Sequence, residues 1–562
     1  MYKRVKWAVL LLSVLGGGLA LAQVNDRGSN DRGSEERVAL IMSRMPPTAS
    51  AAYKLLTNAA DGPIIKSLVL TKSELWSVRK DNVEAVIKAA AQHSVEVKRL
   101  GTPRTADGGA RRRTRGWVPE AAREPSDDWQ QIFRVASADL KVNDKQKHLI
   151  EVAKASRATI GVGLMAVPSA PEVEFALTRD TDARSPSKDA TEIRVALSET
   201  TTLTIVRTSV EVRPTMCIWH GKVVGTQAPA TIMWWPSGKM AGAVQHEGRL
   251  YSIRNLGGEM HAVVEMSDEK MPQEHAPMHS NSSNLRDDPL VTQGEGKTLR
   301  PVTERPGRKR PQQSEEKRDE LAAVKAQEAA TKSQKAATVA KPKDIVIDVI
   351  VAYTQKAAAS YDDIKHELIE LAIEDANESF RQSALGHIRL RLVHAYQTDY
   401  VENGEHFVHL WRFADKGDGY MDEIHELRDK YRADVAVLVV DDPQGCGLAT
   451  RVFAEADEAF VVVHHECAAA TYSMAHEIGH IIGARHDLNL DKSMTPFAYG
   501  HGFVNGTKWR DIMSYKESCG GCPRLPVWSS PKLVINGDIA GTSDMDNARV
   551  ISEQAARVAA FR

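Results

Sequence analysis

The segment His476 to His486, HEIGHIIGARH, constrains this chain more than any other feature of its sequence. His476 and His480 stand four apart. On a helix that spacing puts both imidazoles on one face, one turn apart, where both reach one metal ion. Gly483 follows three residues later and can end the helix with a positive φ that other residues resist. The reversed chain then brings His486 to the same metal. Three neutral imidazoles leave one coordination position open, the pattern of a catalytic rather than a structural zinc. Glu477, beside the first ligand, is placed to take a proton from water, whose pKa zinc lowers to about 7. Ala468 to Ala475 reads as a helical lead-in, and Ile478, Ile481 and Ile482 supply a buried face.

A second element, Asp511-Ile512-Met513-Ser514-Tyr515, follows the third histidine. A Met in a tight turn beneath three His ligands accompanies the extended H-E-x-x-H-x-x-G-x-x-H motif. Together HEIGHIIGARHD and DIMSY resemble the metzincin metallopeptidases. Asp487, directly after His486, is similar to the reprolysin-like branch, where that Asp helps fix the site. Tyr515, two residues after Met513, instead resembles the astacin and serralysin branches, whose Tyr can bind zinc or steady the tetrahedral intermediate. The longer context, PFAYGHGF (496–503), CPRLPVWSSP (522–531) and NARVISEQAARVAAFR (547–562), is most similar to the bacterial peptidyl-Asp metallopeptidases.

The resemblance covers about 344–562 and implies a zinc endopeptidase acting on protein or peptide substrates. It also implies a preference for Asp or Glu on the C-terminal side of the cut bond. The cations available for that carboxylate are Arg524 first, then Lys516 and Arg485. The competing readings are a metzincin of general specificity and a secreted binding protein with a retired protease domain. The second would lack a ligand or Glu477, and neither is missing.

The chain has 562 residues, 42% hydrophobic and 26% charged, which excludes collagen-like, wholly disordered and polytopic membrane classes. A net charge of −1 argues against nucleic acid as a partner. The basic runs at Arg111–Arg115 and Arg308–Arg310 lack interleaved aromatics and read as solvated charge, the second alternatively as a processing site. The balance hides an asymmetry. Residues 344–562 carry 21 basic and 34 acidic side chains, about −13, and the rest carry 52 and 40, about +12. Two such parts are expected to attract each other.

Residues 1–22 have a basic start, an apolar stretch and Ala20-Leu21-Ala22 before Gln23, the form of a secretory signal peptide. The expected location is secreted or periplasmic, with no membrane insertion after signal removal and with disulfides permitted. Residues 23–279 read as a mixed α+β pro-region, a partner for the enzyme it covers as a zymogen. Its first half is α/β, and from about Ile160 its second half is β-rich, a meander or sandwich. The alternative for that half is a substrate- or surface-binding module. Residues 280–343 read as a disordered or part-helical linker. From Asp344 strands alternate with helices, an α/β pattern predicting a metzincin-like, mostly parallel twisted sheet with a zinc-binding helix.

Four of the five cysteines fall in the last part, where Cys446–Cys467 and Cys519–Cys522 would each close a local loop in an oxidising compartment. The CxxC spacing of the second pair also fits a redox or second metal pair. Cys217 is left over, a buried thiol or, as in matrix metalloproteases, a latency ligand for the zinc. Asp441 and Asp442 form a loop turn or a calcium site. His464, His465 and His501 are structural or substrate-contacting. Ser473 has no G-x-S-x-G elbow around it, and no P-loop appears.

Overall fold

The structure, a computed structural model, describes residues 37–62, 64–100, 131–136, 141–179, 191–226, 228–272, 274, 343–403 and 406–562. The expected signal peptide, both basic runs and nearly all of the expected linker lie outside these residues. Two compact units divide the chain, residues 1–130 with 170–193, and residues 131–169 with 194–562.

In the first unit β1 (Arg37–Ser43), β2 (Ile64–Leu68), β3 (Ser73–Arg79) and β4 (Glu96–Arg99) form a sheet of order β2-β3-β1-β4. Helices α1 (Ala51–Ala60) and α2 (Val83–Gln92) belong to the same unit. Their buried positions, Tyr53, Leu56 and Ala60 on α1 and Val83, Val86 and Ala90 on α2, recur at helical spacing and join Leu40, Met42 and Trp76 in one core.

The β-rich stretch lies in the second unit. The β-rich stretch is neither an open meander nor a sandwich. Nine strands close into a barrel: β5 (Gln131–Val135), β6 (Thr159–Ala166), β7 (Glu192–Ala196), β8 (Thr202–Arg213), β9 (Met216–Val223), β10 (Pro229–Trp234), β11 (Met240–His246), β12 (Arg249–Gly257) and β13 (Met260–Ser267). The last seven strands alone would leave edges at both ends. β6 pairs with β13, and β5 bridges β6 and β7, so no edge is left to aggregate. That long-range pairing carries no local sequence signal.

The remainder is the α/β part. Strands β14 (Ile345–Tyr353), β15 (Ile388–Gln397), β16 (Val435–Val440), β17 (Gly447–Ala449) and β18 (Phe460–His464) form a sheet of order β15-β14-β16-β18-β17. All pairs are parallel except β17 with β18. Every residue of β16, VAVLVV, is buried, as a central parallel strand covered on both faces requires. Helix α3 (Glu370–Gln382) buries one face of the sheet; the π-helical turn Lys365–Ile369 leads into it. Helix α4 (His406–Ala414), which the sequence pattern does not announce, packs on β18 with Leu410 and Phe413 in the second core layer.

Barrel and α/β part share a hydrophobic core: Met216, Ile218, Met233 and Ala241 cluster with Leu368, Leu371 and Ala372. Lys239 pairs with Asp363 at 2.8 Å and Arg213 with Glu374 at 2.7 Å. Lys145 pairs with Asp362 as well. The basic side of each pair comes from the N-terminal part and the acidic side from the C-terminal part. The barrel thus packs with the α/β part inside the second unit, and the N-terminal sheet belongs to the first.

Candidate metal centre and substrate cleft

Helix α5 (Ser473–Ile482) carries the motif. It starts later than the expected lead-in, because Tyr472 at φ 61° breaks the backbone before Ser473. Its end is as expected: Gly483 has φ 132°, and its N–H closes on the Gly479 carbonyl at 2.9 Å. A Cβ on Gly483 would lie 2.8 Å from the Phe497 ring, so this turn admits no side chain.

The three Nε2 atoms of His476, His480 and His486 converge at 3.1, 3.1 and 2.9 Å from one another, with all three rings buried. The Nδ1 atom of His476 lies 2.9 Å from the Ile512 carbonyl, and that of His480 lies 2.8 Å from the Ala484 carbonyl. A carbonyl only accepts, so both Nδ1 atoms carry the proton and both Nε2 atoms present lone pairs. Burial holds all three rings well below the usual imidazole pKa, and hence neutral. Lone pairs about 3 Å apart repel unless a cation lies between them, and imidazole nitrogen suits zinc. The donor set therefore fits a zinc ion.

The turn 511–515 fixes this centre from below. Its Ile512 carbonyl holds His476. Met513 is fully buried under the helix, its sulfur 3.2 Å from where a Cβ on Gly479 would stand. Asp511 accepts from the Ser514 hydroxyl at 2.6 Å and the Ser529 N–H at 3.1 Å. Asp487 accepts from the Tyr515 N–H at 3.1 Å and the Ser518 hydroxyl at 2.8 Å. The Tyr515 hydroxyl lies 3.3 Å from His486 Nε2, at the open side of the triad.

Glu477 is wholly buried, and neither carboxylate oxygen accepts a hydrogen bond of good geometry from the described residues. Burial, then the neighbouring Glu274 charge, pushes its pKa well above the usual carboxylate range, with Arg524 opposing. Gly447, on the edge strand β17, makes room for it: a Cβ there would lie 2.6–2.9 Å from three atoms of the Glu477 side chain. Nothing local in the sequence marks Gly447, because the demand comes from a helix thirty positions on.

The three candidate cations have different fates. Arg524 reaches the cleft, tied in place because its backbone runs beside Arg510. Its Nη1 donates to the Thr471 carbonyl at 2.8 Å and to Glu274 Oε1 at 3.0 Å, and its Nη2 donates to the Ser514 carbonyl at 3.2 Å. The Ser473 hydroxyl, at the N-terminal end of the metal-binding helix, donates to the same Glu274 oxygen. Lys516 binds backbone carbonyls rather than a carboxylate. Arg485 is buried away from the cleft, its Nη1 on Asp491 at 2.8 Å and its Nε on the Thr495 carbonyl at 2.6 Å, so it selects nothing.

Both disulfides form, Cys446–Cys467 and Cys519–Cys522, the second as a bridge rather than a metal pair. Cys217 lies in β9 opposite Trp234, wholly buried in the barrel and outside the His cluster, so it is no latency ligand here. His501 is structural, bonded to the His486 and Ser493 carbonyls at 2.9 and 3.0 Å. Asp441 clusters with His464 and His465, and Asp442 lies 3.4 Å from His409. Imidazole neighbours are not the oxygen set that calcium takes, which removes the calcium reading.

Three converging buried imidazoles with a buried carboxylate beside them are the donor set of a metal-dependent hydrolase. A model of the metallo-peptidase family M12, Reprolysin_5, matches residues 343–529. A peptidyl-Asp metalloendopeptidase of Xanthomonas campestris is 34% identical over 361 residues, covering 61% of this chain and 76% of the relative. One from Stenotrophomonas maltophilia is 34% identical over 328 residues, covering 58% and 68%. One from Pseudomonas fragi is 34% identical over 190 residues, 34% of this chain and all of the relative. The chain belongs to the M12 metallopeptidases as a reprolysin-like metzincin, close to these bacterial enzymes, and is a metalloendopeptidase.

Proposed function

We propose that the chain is a secreted zinc endopeptidase, made as a zymogen, that cuts beside acidic residues. His476, His480 and His486 would hold the zinc ion, which when bound supplies the Lewis acidity that polarises a peptide carbonyl and acidifies water. Glu477 takes the proton of the attacking water on its carboxylate and returns it to the leaving amine. Its carboxylate, buried beside the first metal ligand, is placed for both transfers. Tyr515, on the open side of the triad, is positioned to donate its hydroxyl to the oxygen that gains charge.

The observation that carries the acidic preference is Arg524. It is a buried guanidinium facing the cleft, it already holds a carboxylate at 3.0 Å, and Ser473 and the positive end of helix α5 assist it. This local cradle offsets the field of about −13 that the surrounding part presents to an acidic peptide. The peptidyl-Asp relatives support the same reading. Secretion rests on the form of residues 1–22, and the zymogen on the barrel packed against the α/β part.

The test is mass spectrometry of products from a mixed peptide library, with and without a chelator. The expected result is chelator-sensitive cleavage with Asp or Glu following the cut. Equal cleavage before Leu or Phe removes the acidic preference, and cleavage that persists without metal removes the enzyme assignment.

A further inference from the structure

The acid cradle is filled by the chain itself. Beyond barrel strand β13, the chain turns through Asp268–Lys270 and enters the cleft. Lys516 Nζ donates to the backbone carbonyls of Asp268 at 2.9 Å, Met271 at 3.2 Å and Glu269 at 3.4 Å. The Asp268 carboxylate accepts from Arg510 at 3.0 Å. The Pro272 carbonyl oxygen lies 3.2 Å from the Cys446 sulfur, next to β17. The Glu274 carbonyl accepts from the Tyr515 hydroxyl at 3.1 Å. The Glu274 side chain, 3% exposed, ends on Arg524 and Ser473.

We propose that residues 268–272 together with Glu274 are a tethered acidic-peptide ligand of the substrate cleft, with Arg524 and Ser473 reading the Glu274 carboxylate while Lys516 and Tyr515 hold its main chain. The inference rests on the acidic preference proposed above and extends it: it assigns Ser473 to side-chain recognition and Lys516 to the peptide backbone. A Lys that selected acidic side chains would meet carboxylates, yet all three of its contacts are carbonyls. The buried charge of Glu274 is tolerable because a guanidinium and a hydroxyl meet one oxygen. The same carboxylate lies beside that of Glu477, a like-charge neighbour whose repulsion leaves the ligand displaceable. Attachment to the barrel gives the segment an effective concentration of order millimolar, enough to outcompete a peptide substrate present at micromolar levels.

The test uses the full chain, kept intact as judged by gel, on a quenched fluorescent peptide containing Asp and on its Asn counterpart. Glu274→Gln keeps the shape and removes the charge. It is expected to raise the initial rate on the Asp peptide at least tenfold over the intact wild-type chain. A synthetic peptide covering residues 265–274, added to that variant, is expected to restore inhibition, and the same peptide carrying Glu274→Gln is not. An unchanged rate in both Glu274→Gln and Glu274→Ala, or equal inhibition by the two synthetic peptides, overturns the inference. The failure of the acidic preference has a different signature: the rate rises on variation at 274, but the Asp and Asn peptides are then cut equally. If Glu274→Ala misfolds, seen as a lowered melting temperature, Glu274→Gln and the added peptides still decide.

Discussion

The carboxylate of Asp487 accepts a hydrogen bond from the backbone N–H of Tyr515, 3.1 Å away and 28 residues further on. The residue after the third histidine is thereby tied to the turn that carries Met513, and the Ile512 carbonyl of that turn holds the first histidine at 2.9 Å. One clamp fixes the triad from both sides. Asp487→Ala is expected to weaken zinc binding roughly 10–100-fold, the usual effect of losing a partner that orients metal ligands. Competition with a fluorescent chelator measures it, and unchanged affinity would show that the triad stands without the clamp.

Glu477 and His480 separate chemistry from metal binding. Glu477→Ala is expected to lower kcat by about 10²–10⁴ while zinc stays bound, because Glu477 handles a proton and holds no metal. His480→Ala is expected to lose both. Metal analysis of the purified variants beside their rates checks the pair. A Glu477→Ala chain that cuts peptides at the wild-type rate would end the general-base assignment.

Gly447→Ala places a methyl group 2.6–2.9 Å from the Glu477 side chain, which has nowhere exposed to move. Displacing a catalytic group by about 1 Å can cost on the order of 100-fold in rate. The expected outcome is a fall in kcat of at least tenfold with zinc content unchanged. KM moving instead of kcat would mean the methyl group disturbs the substrate strand and not the base.

The metal centre was legible because its ligands are local: His476, His480, Gly483 and His486 obey the period of one helix and one turn. The α/β sheet was legible for the same reason, since a run such as VAVLVV between helices has few other readings. The roles of Gly447, Glu274 and Ser473 were not. Gly447 answers to a side chain 30 positions on, and Glu274 meets Ser473 across 199, distances at which no periodicity acts. Arg485 failed as a specificity candidate because closeness in sequence to the zinc helix does not say which side of the backbone a side chain leaves. Barrel closure through β5 and β7 was hidden in the same way.

In the Glu274→Gln background, where the tethered ligand no longer competes, Arg524→Leu is expected to abolish discrimination between Asp- and Asn-containing peptides. A hydrogen bond to a charged group contributes about 1.5–3 kcal/mol, so kcat/KM for the Asp peptide should fall roughly 10–100-fold while the Asn peptide changes little. Arg524→Lys should keep part of the preference, since one ammonium replaces a planar guanidinium that also spans the Thr471 and Ser514 carbonyls. Retained preference in the Leu variant would move the selector elsewhere.

Two buried acids at the contact between barrel and α/β part make that contact sensitive to pH. Glu367 accepts from the barrel's Asn255 N–H at 2.9 Å and from the Asp363 N–H at 2.7 Å, and burial pushes its pKa up to about 7. Asp375, which faces Thr231 of the barrel, is pushed up to about 8 by burial. Both values lie above those of the unfolded chain, about 4.3 for Glu and 3.9 for Asp. Between the unfolded and folded values the folded state binds more protons, so stability falls as pH rises through that window. The contribution is fully present below about pH 4 and is lost by about pH 8. Oppositely directed groups are Asp363, held below the usual carboxylate range by His366 and Lys239, which loses its contribution only at the acid end, and the buried His220 and His261, lowered to about 4 by burial, whose contribution is complete by about pH 6.5. The expected result is that the denaturant midpoint of the full chain falls between about pH 6.5 and about pH 8.5. Glu367→Gln and Asp375→Asn, which stay neutral throughout, should flatten that slope, and an undiminished slope in the double variant would show that other groups set it.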